Sequence, residues 1–232
     1  MTHFLELFLD ALPAGLCEEI IARFEQDPRR FPSRTANSSS PQARQGTMLI
    51  IGDLPEWADT AGILERTLRR HIDLYVEKYQ SLRLMAQPAN SFVTSPVIER
   101  IDPGQGYGWH IDAGPARTYD RLLSALFYLR DVPEGGATEF PFQEIAVRPK
   151  AGALLLFPPF WTHLHRGASP VSSRKYNITS YLVLRDAAQR DTGPESGPRG
   201  APRSRPRPGS PRPRPGDATN GSGRVAVVAD RR

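Results

Sequence analysis

The chain has 232 residues, of which 24% are charged, and a formal net charge of +5. This length allows one large domain, or one domain with an appendage. Its only cysteine, Cys17, excludes an intrachain disulfide and a cysteine-based zinc or iron–sulfur centre. The N-terminal apolar run contains acidic residues, and no apolar run reaches the ~18 residues of a membrane span. We therefore expect no signal peptide, no membrane span and a cytoplasmic location.

The last part of the chain, residues 187–232, differs from the rest in composition. It contains 8 Pro, 7 Gly, 10 Arg and 4 acidic residues, and no aromatic residue. Such a segment cannot bury enough apolar surface to offset its ordering entropy, which predicts a disordered tail. The tail carries a net charge of +6 and residues 1–186 carry −1. This distribution argues against nucleic acid as a partner of the folded body. The basic tail could bind an anionic partner, but only weakly.

The sequence pattern of the first half of residues 1–186 indicates two helices, with short strands and a loop between them. Residues 3–12 form a short apolar segment that predicts a strand. Residues 13–28 predict a helix, because Leu16, Ile20 and Phe24 recur at helical spacing between two prolines. Residues 34–46 predict a polar loop, residues 47–54 a strand, and residues 55–82 the longest helix. The predicted apolar side of that helix contains Trp57, Leu64, Leu68, Ile72, and Tyr75 or Tyr79.

From residue 91 the pattern changes to about seven short apolar runs divided by Pro and Gly. Short strands at this spacing indicate a sandwich or jelly roll. Helices followed by strands predict an α+β fold, with the helices packed against one face of the β core. We predict one domain over residues 1–186, with helical support over 1–88 and a double-stranded β-helix (jelly-roll) core over 89–186.

The stretch "YGWHID" brings a histidine and an aspartate two positions apart, at His110 and Asp112. Alternate residues of a strand point to the same face. One imidazole and one carboxylate are two thirds of the two-histidine, one-carboxylate triad that holds Fe(II) and leaves other coordination sites open. A third ligand would have to come from a later strand, and the pair "HLH" offers His163 and His165. Chain geometry alone permits either.

Five blocks in order resemble the prolyl-4-hydroxylase-like Fe(II)/2-oxoglutarate-dependent dioxygenases. These blocks are "YGWHID" (107–112), "GGATEFP" (135–141), "VRPKAGALLLFP" (147–158), "HRGASPV" (165–171) and "KYNITSYL" (175–182). The resemblance is close over residues 90–184 and loose over the N-terminal helices. "GGATEFP" also reads as a hairpin connection that sets strand geometry, and we assign it no catalytic role.

The resemblance implies a role for particular residues. It makes His110 and Asp112 the first two metal ligands and favours His165 as the third, because the family's ligand precedes a basic residue by about ten positions, here Lys175. That lysine would anchor the distal carboxylate of 2-oxoglutarate. Asn177 would supply a further hydrogen bond to this cosubstrate, although many relatives have Ser or Thr there, and Tyr107 would line its pocket.

The implied reaction hydroxylates an unactivated C–H bond while 2-oxoglutarate and O2 are converted to succinate and CO2. The implied cofactors are Fe(II), 2-oxoglutarate and O2, with ascorbate as a stimulant. The substrate would be a prolyl residue or an amino-acid-like small molecule, although fold-level analogy does not settle it. Halogenating relatives lack the ligand carboxylate, so the presence of Asp112 favours hydroxylation.

Candidates for substrate contact follow from position. The loop after Asp112 offers Arg117 and Tyr119, since loops on a rigid scaffold commonly carry specificity. Trp109 and Trp161 could contact the substrate, but a place in the core or at the rim of the site explains them equally well. His163 would be a pocket residue if it is not a ligand.

Three other functions stay open at this point. The first is a non-catalytic β-barrel binding module, which the presence of all three ligands and Lys175 disfavours. The second is a nucleic-acid-associated protein that acts through its basic tail. The third is demethylation of a nucleobase or amine by the same chemistry, against which the near-neutral body argues mildly.

Overall fold

The structure is a computed structural model that describes residues 3–33, 45–114 and 118–185. Three parts of the chain named above lie outside the described residues. They are the tail (187–232), residues 34–44 of the predicted loop, and Arg117.

Both α-helices of the described residues lie in the first half of the chain. Its elements are β1 (Glu6–Phe8), α1 (Ala14–Gln26), β2 (Phe31–Pro32), β3 (Thr47–Ile50) and α2 (Ala58–Lys78). Short 3-10 helices over Pro55–Trp57 and Gln80–Leu84 flank α2. The predicted long helix therefore has an α-helical centre and a tighter turn at each end.

The second half of the described chain has nine strands where the sequence predicts about seven. They are β4 (Ser91–Val93), β5 (Val97–Ile101), β6 (Tyr107–His110), β7 (Arg121–Tyr128), β8 (Thr138–Phe140), β9 (Ile145–Val147), β10 (Leu154–Phe157), β11 (His165–Gly167) and β12 (Lys175–Leu184). A third 3-10 helix spans Trp161–His163. Four of these strands, β4, β8, β9 and β11, have only three residues, too few to leave a clear pattern in the sequence.

The strands form two antiparallel sheets. The larger sheet has eight strands in the order β1-β10-β7-β12-β5-β3-β2, with β4 paired to β12. The smaller sheet has the order β6-β11-β8-β9. Side chains of both sheets meet in a cluster that includes Tyr128, Phe157 and Phe140. This arrangement is the predicted jelly roll.

Both helices cover the outer face of the larger sheet, as predicted. Residues Cys17, Ile20, Ile21 and Phe24 of α1 are buried at helical spacing. They share a core with Leu64, Leu68, Ile72 and Tyr75 of α2 and with sheet residues such as Phe127 and Ile178. Burial of each such side chain stabilises the fold by about 1.5–3 kcal/mol before entropic costs. The opposite, inner face of this sheet is thereby left to line a pocket.

A polar clamp joins the end of α1 to the start of α2. Trp57 is buried and its indole Nε1 donates to Asp27 Oδ2 at 3.0 Å. Arg29 binds the same carboxylate through its backbone N and two guanidinium nitrogens, at 2.7–3.0 Å. The hydrogen bonds from Arg29 hold the pKa of Asp27 well below its usual range. The clamp fixes the two helices against each other.

Two glycines support the predicted role of "GGATEFP" in strand geometry. Gly135 and Gly136 have φ of +73° and +69°, and a Cβ on Gly135 would lie 2.4 Å from the Ser169 carbonyl oxygen. The chain therefore needs glycine here to connect β7 to β8.

No described helix combines the length and apolar character needed to cross a membrane.

Candidate active site

Three potential metal ligands converge between the two sheets. His110 ends β6, His165 begins β11, and the two residues are direct cross-strand partners. One ligand atom from each of His110, Asp112 and His165 lies within 4.8 Å of the others. The strand pairing therefore brings together histidines that are 55 positions apart in the sequence.

Asp112 reaches the site by a route that the sequence does not predict. Alternation along a strand would place it beside His110, but β6 ends at His110 and Asp112 lies in the bend that follows. The backbone N–H groups of Asp112 and Ala113 both donate to the carbonyl oxygen of Pro159, at 3.1 and 2.8 Å. This contact turns the carboxylate toward the histidines, 3.7 Å from each Nε2.

Backbone carbonyls fix both imidazole rings. His110 Nδ1 lies 2.8 Å from the Gly108 carbonyl oxygen, and His165 Nδ1 lies 2.9 Å from that of His163. A carbonyl oxygen can only accept, so each neutral ring carries its proton on Nδ1. The lone pair of each Nε2 then points toward Asp112, which is the arrangement that metal-binding histidines use.

Three further side chains hold Asp112. Ser124 Oγ donates to Oδ2 at 2.7 Å, and Tyr181 Oη donates to Oδ1 at 3.4 Å. Arg121 Nη1 donates to the Asp112 carbonyl oxygen at 2.8 Å while its guanidinium covers the Tyr181 ring. Burial alone would raise the pKa of Asp112, but His165, His110, Ser124 and Arg121 outweigh it and the pKa is lowered. The carboxylate is ionised at neutral pH.

His165 is the buried histidine of the group. Its ring lies 5.5 Å from that of Phe140 and 4.9 Å from that of Phe157. Burial lowers the pKa of His165 to about 4, against the opposing effect of Asp112. Two imidazole nitrogens and one ionised carboxylate on one side are the donor set of a non-haem Fe(II) centre, so the residues present fit that metal.

His163 does not join this group. It ends the third 3-10 helix, and its Nε2 bonds the carbonyl oxygen of His3 at 3.0 Å. Its backbone carbonyl, rather than its imidazole, contacts His165. Of the two histidines in "HLH", the structure brings only His165 to the site.

A second polar group lies deeper between the sheets, at Lys175. This lysine is 2% exposed, and its Nζ lies 5.4 Å from the centre of the Tyr128 ring. Burial lowers the pKa of Lys175 to about 7. Arg174 faces the other side of the strand, where its Nε contacts Asp102 at 2.9 Å. Among the described residues no carboxylate lies within ion-pair distance of Lys175, so an anionic group bound there would favour its ammonium form.

Asn177 lies two positions along the same face of β12. Its Nδ2 donates to Glu99 Oε2 at 3.2 Å, and Glu99 is completely buried. Tyr107, at the start of β6, packs with its ring edge-on to His110, 6.4 Å between centroids. Both predicted pocket residues thus lie on the elements that surround the site.

The predicted substrate contacts are more scattered. Trp109 lies under the Arg166 guanidinium at 4.7 Å, and Arg166 binds Glu139 at 2.7 Å. Tyr119 and Trp161 are 66% and 75% exposed, in the loop before β7 and the turn after β10. Their roles stay predictions, as does that of Arg117.

Several site residues were missed from the sequence. Ser124 is the one polar residue inside the apolar run "LLSALFYL", which was an available signal. Tyr181 shares the alternation of Lys175 and Asn177 along β12. Glu99 and Arg121 gave no signal, because charged residues within short strands are usually solvated.

The fold and site define a jelly-roll protein in which two histidines and one carboxylate are grouped as potential metal ligands. Residues 96–183 match the family described as the 2OG-Fe(II) oxygenase superfamily, which supports the resemblance seen in the sequence. A PKHD-type hydroxylase from Synechococcus sp. (strain CC9902) is 33% identical over 85 residues. That match spans 35% of this chain and 37% of the relative.

Solved prolyl hydroxylases share the fold. The viral collagen prolyl hydroxylase of Paramecium bursaria Chlorella virus-1, crystallised with 2OG, is 18% identical with a TM-score of 0.60, over 77% of this chain and 95% of that one. A Pseudomonas putida prolyl-4-hydroxylase is 19% identical with a TM-score of 0.58, over 80% and 95%. A Trichoplax adhaerens prolyl hydroxylase, solved with a hypoxia inducible factor peptide, is 20% identical with a TM-score of 0.62, over 78% and 84%. These likenesses confirm the predicted jelly roll.

Proposed function

We propose that this protein is an Fe(II)- and 2-oxoglutarate-dependent dioxygenase that hydroxylates an unactivated C–H bond. The observation that carries the proposal is the grouping of His110, Asp112 and His165, together with the buried Lys175 side chain that faces Tyr128. The first three residues would hold Fe(II), which supplies the oxidising chemistry with O2 when it is bound. Lys175 would bind the distal carboxylate of 2-oxoglutarate.

The chain's own residues prepare the site for this reaction. Ser124, Tyr181 and the carbonyls of Gly108 and His163 fix the ligand atoms before the metal arrives, which lowers the cost of ordering them. Phe140 and Phe157 exclude water behind His165. The His110 side chain is 37% exposed and that of His165 only 6%. The substrate therefore approaches from the His110 side.

The proposed substrate is a prolyl residue of a peptide, or an amino-acid-like small molecule. The names of the structural relatives support a prolyl substrate. The exposed aromatic residues Tyr119 and Trp161 offer flat apolar surfaces that suit a proline ring.

The test is succinate formation from 2-oxoglutarate by anaerobically reconstituted Fe(II) protein when O2 is admitted. Proline-containing peptides and free amino acids serve as stimulants. We expect wild type to form succinate, His165→Ala to lose this activity, and His163→Ala to keep it. Wild-type protein that binds neither metal nor 2-oxoglutarate would contradict the proposal.

The same assay tests the cosubstrate anchor. Lys175→Met removes a buried charge-assisted contact, worth roughly 2–5 kcal/mol, so KM for 2-oxoglutarate should rise about 30-fold or more. Lys150→Met is the matched control, because Lys150 is exposed and pairs with Asp131. An unchanged KM in Lys175→Met would show that the anchor lies elsewhere.

A further inference from the structure

The buried residue His163 joins the group of metal ligands to the segment before β1. Each of its polar groups has a partner. Its backbone N–H donates to the Phe160 carbonyl oxygen at 2.8 Å, and its ring Nδ1 lies 2.9 Å from Thr162 Oγ1. Its Nε2 lies 3.0 Å from the His3 carbonyl oxygen, and its own carbonyl oxygen lies 2.9 Å from His165 Nδ1. The residue is therefore held on every side.

The chemistry of the partners fixes the direction of these hydrogen bonds. A carbonyl oxygen can only accept, so His163 Nε2 carries a proton and donates to His3, while His165 Nδ1 donates to His163. In the neutral His163 ring, Nδ1 is then the acceptor for Thr162 Oγ1. His163 thus binds the His3 segment through its ring and a proposed metal ligand through its carbonyl.

The segment that contains His3 is itself fixed. Phe4 has a φ of +56°, a backbone conformation that a bulky residue rarely adopts and that persists only where its surroundings impose it. Tyr75 Oη of α2 donates to the Phe4 carbonyl oxygen at 2.9 Å. Leu5, which follows, is 6% exposed and packs in the cluster between the sheets. The His3 carbonyl is therefore a fixed acceptor for His163.

The carbonyl of His163 in turn orients the ring of His165. His163 ends the third 3-10 helix, so the direction of its carbonyl depends on how this turn is held. A hydrogen bond to the second nitrogen of a metal-binding histidine fixes the tautomer and the ring orientation. Loss of such a partner typically lowers metal affinity by about 10–100-fold. His163 can therefore act on a bound metal without touching it.

We propose that His163 is a positioning residue for the metal ligand His165. By binding His3 through its ring, it ties down the turn Trp161–His163 and holds its own carbonyl against His165. The proposal rests on the function proposed above, because it requires a metal at His165 and its partners. It also gives the segment before β1, and the contact of that segment with α2, a part in metal binding. Coupling between two sites is reciprocal, so metal binding should in turn hold the His3 segment more firmly.

The experiment is anaerobic titration of the full-length apoprotein with Fe(II), and separately with Co(II), whose d–d absorption reports the geometry of its ligands. Wild type is compared with His163→Ala, His163→Gln and His71→Ala. Glutamine keeps an N–H donor that can reach the His3 carbonyl. His71→Ala is the matched control, because His71 on α2 also bonds a backbone carbonyl, that of Thr67, and packs against Phe8.

We expect His163→Ala to bind Fe(II) about tenfold or more weakly than wild type and to change the Co(II) spectrum, because the carbonyl that orients His165 is no longer held. His163→Gln should recover most of the affinity and the wild-type spectrum. His71→Ala should bind both metals as wild type does. Once Fe(II) saturates His163→Ala, its ligand set is complete, so the succinate formation expected above persists.

Hydrogen exchange adds a measurement that needs no variant. In wild type, Co(II) should slow amide exchange over residues 3–8 by a larger factor than over α1, since α1 has no contact with His163 among those described. Equal slowing in both segments would mean that the metal only stabilises the fold as a whole, which contradicts the proposed link.

Unchanged Fe(II) affinity and an unchanged Co(II) spectrum in His163→Ala overturn the inference and leave the proposed function intact. An equal loss of affinity in His71→Ala does the same, because it would trace the loss to general destabilisation. A loss that His163→Gln shares in full would show that the bond to His3 is not the cause. Absence of any Fe(II) binding in wild type would overturn the proposed function itself.

Discussion

Ser124 shows how one buried hydroxyl group sets the direction of a metal ligand. Its Oγ donates to Asp112 Oδ2 at 2.7 Å, and the residue is 1% exposed. We predict that Ser124→Ala lowers Fe(II) affinity about tenfold or more, because the carboxylate loses the contact that orients it. Anaerobic titration of the apoprotein with Fe(II) measures this directly.

Ser180 provides the control for this substitution. It is equally buried, lies on the neighbouring strand, and donates to the carbonyl oxygen of Thr94 at 2.8 Å. Ser180→Ala should cost a similar amount of stability and leave Fe(II) affinity unchanged. Equal affinity losses in both variants would mean that Ser124 supports the fold and not the ligand.

At the scale of single residues, the sequence predicted which residues have a chemical role better than it predicted where their side chains lie. His110, Asp112 and Lys175 were proposed as site residues because their spacing resembles a family pattern. Glu99 could not be recognised in the same way. The strand "VIERI" contains two charged residues, Glu99 and Arg100, and only the register with β12 shows which of them faces inward. The choice between His163 and His165 likewise depended on the 3-10 turn that directs His163 toward His3.

The clamp between the two helices makes a testable contribution to stability at the scale of whole elements. Asp27→Ala leaves the buried Nε1 of Trp57 without an acceptor, so we predict a loss of about 1–3 kcal/mol in the free energy of unfolding. Urea denaturation followed by tryptophan fluorescence checks the value. Asp53→Asn is the control, because Asp53 is exposed, and it should stay within about 0.5 kcal/mol of wild type.

The clamp also predicts how stability changes with pH. Folding lowers the pKa of Asp27 below its ordinary value of 3.8, so the unfolded state binds the proton more readily. The contribution is therefore complete above about pH 4 and is lost as the pH falls further. The stability difference between wild type and Asp27→Asn should shrink from pH 7 to pH 3. A difference that stays constant would show that the charge of Asp27 contributes nothing.

Periodicity predicted the elements that are long and one-sided. The apolar faces of α1 and α2 were visible because each repeats over three or more turns. Strands of three or four residues, such as β11, contain too few residues for a pattern. The bend at Asp112 depends on the Pro159 carbonyl, 47 positions away, and no local pattern encodes that contact.

At the scale of the whole molecule, charge and chemistry occupy different parts of the chain. The proposed metal ligands, the residues that support them, and Lys175 all lie within residues 99–181. The basic excess lies in residues 187–232, with ten arginines, while residues 1–186 carry a net charge of −1. We therefore expect the proposed reaction not to depend on the tail.

Removal of residues 187–232 tests this separation. We predict that the shortened protein keeps kcat and KM for 2-oxoglutarate within about twofold, because a polar, proline-rich segment adds little to a packed core. A full-length variant with the ten tail arginines changed to glutamine separates charge from chain length. Loss of succinate formation in a truncated protein that still melts at the wild-type temperature would contradict the prediction. If cosubstrate turnover survives but binding to an anionic partner weakens in both variants, the tail acts through its charge, as the sequence left open.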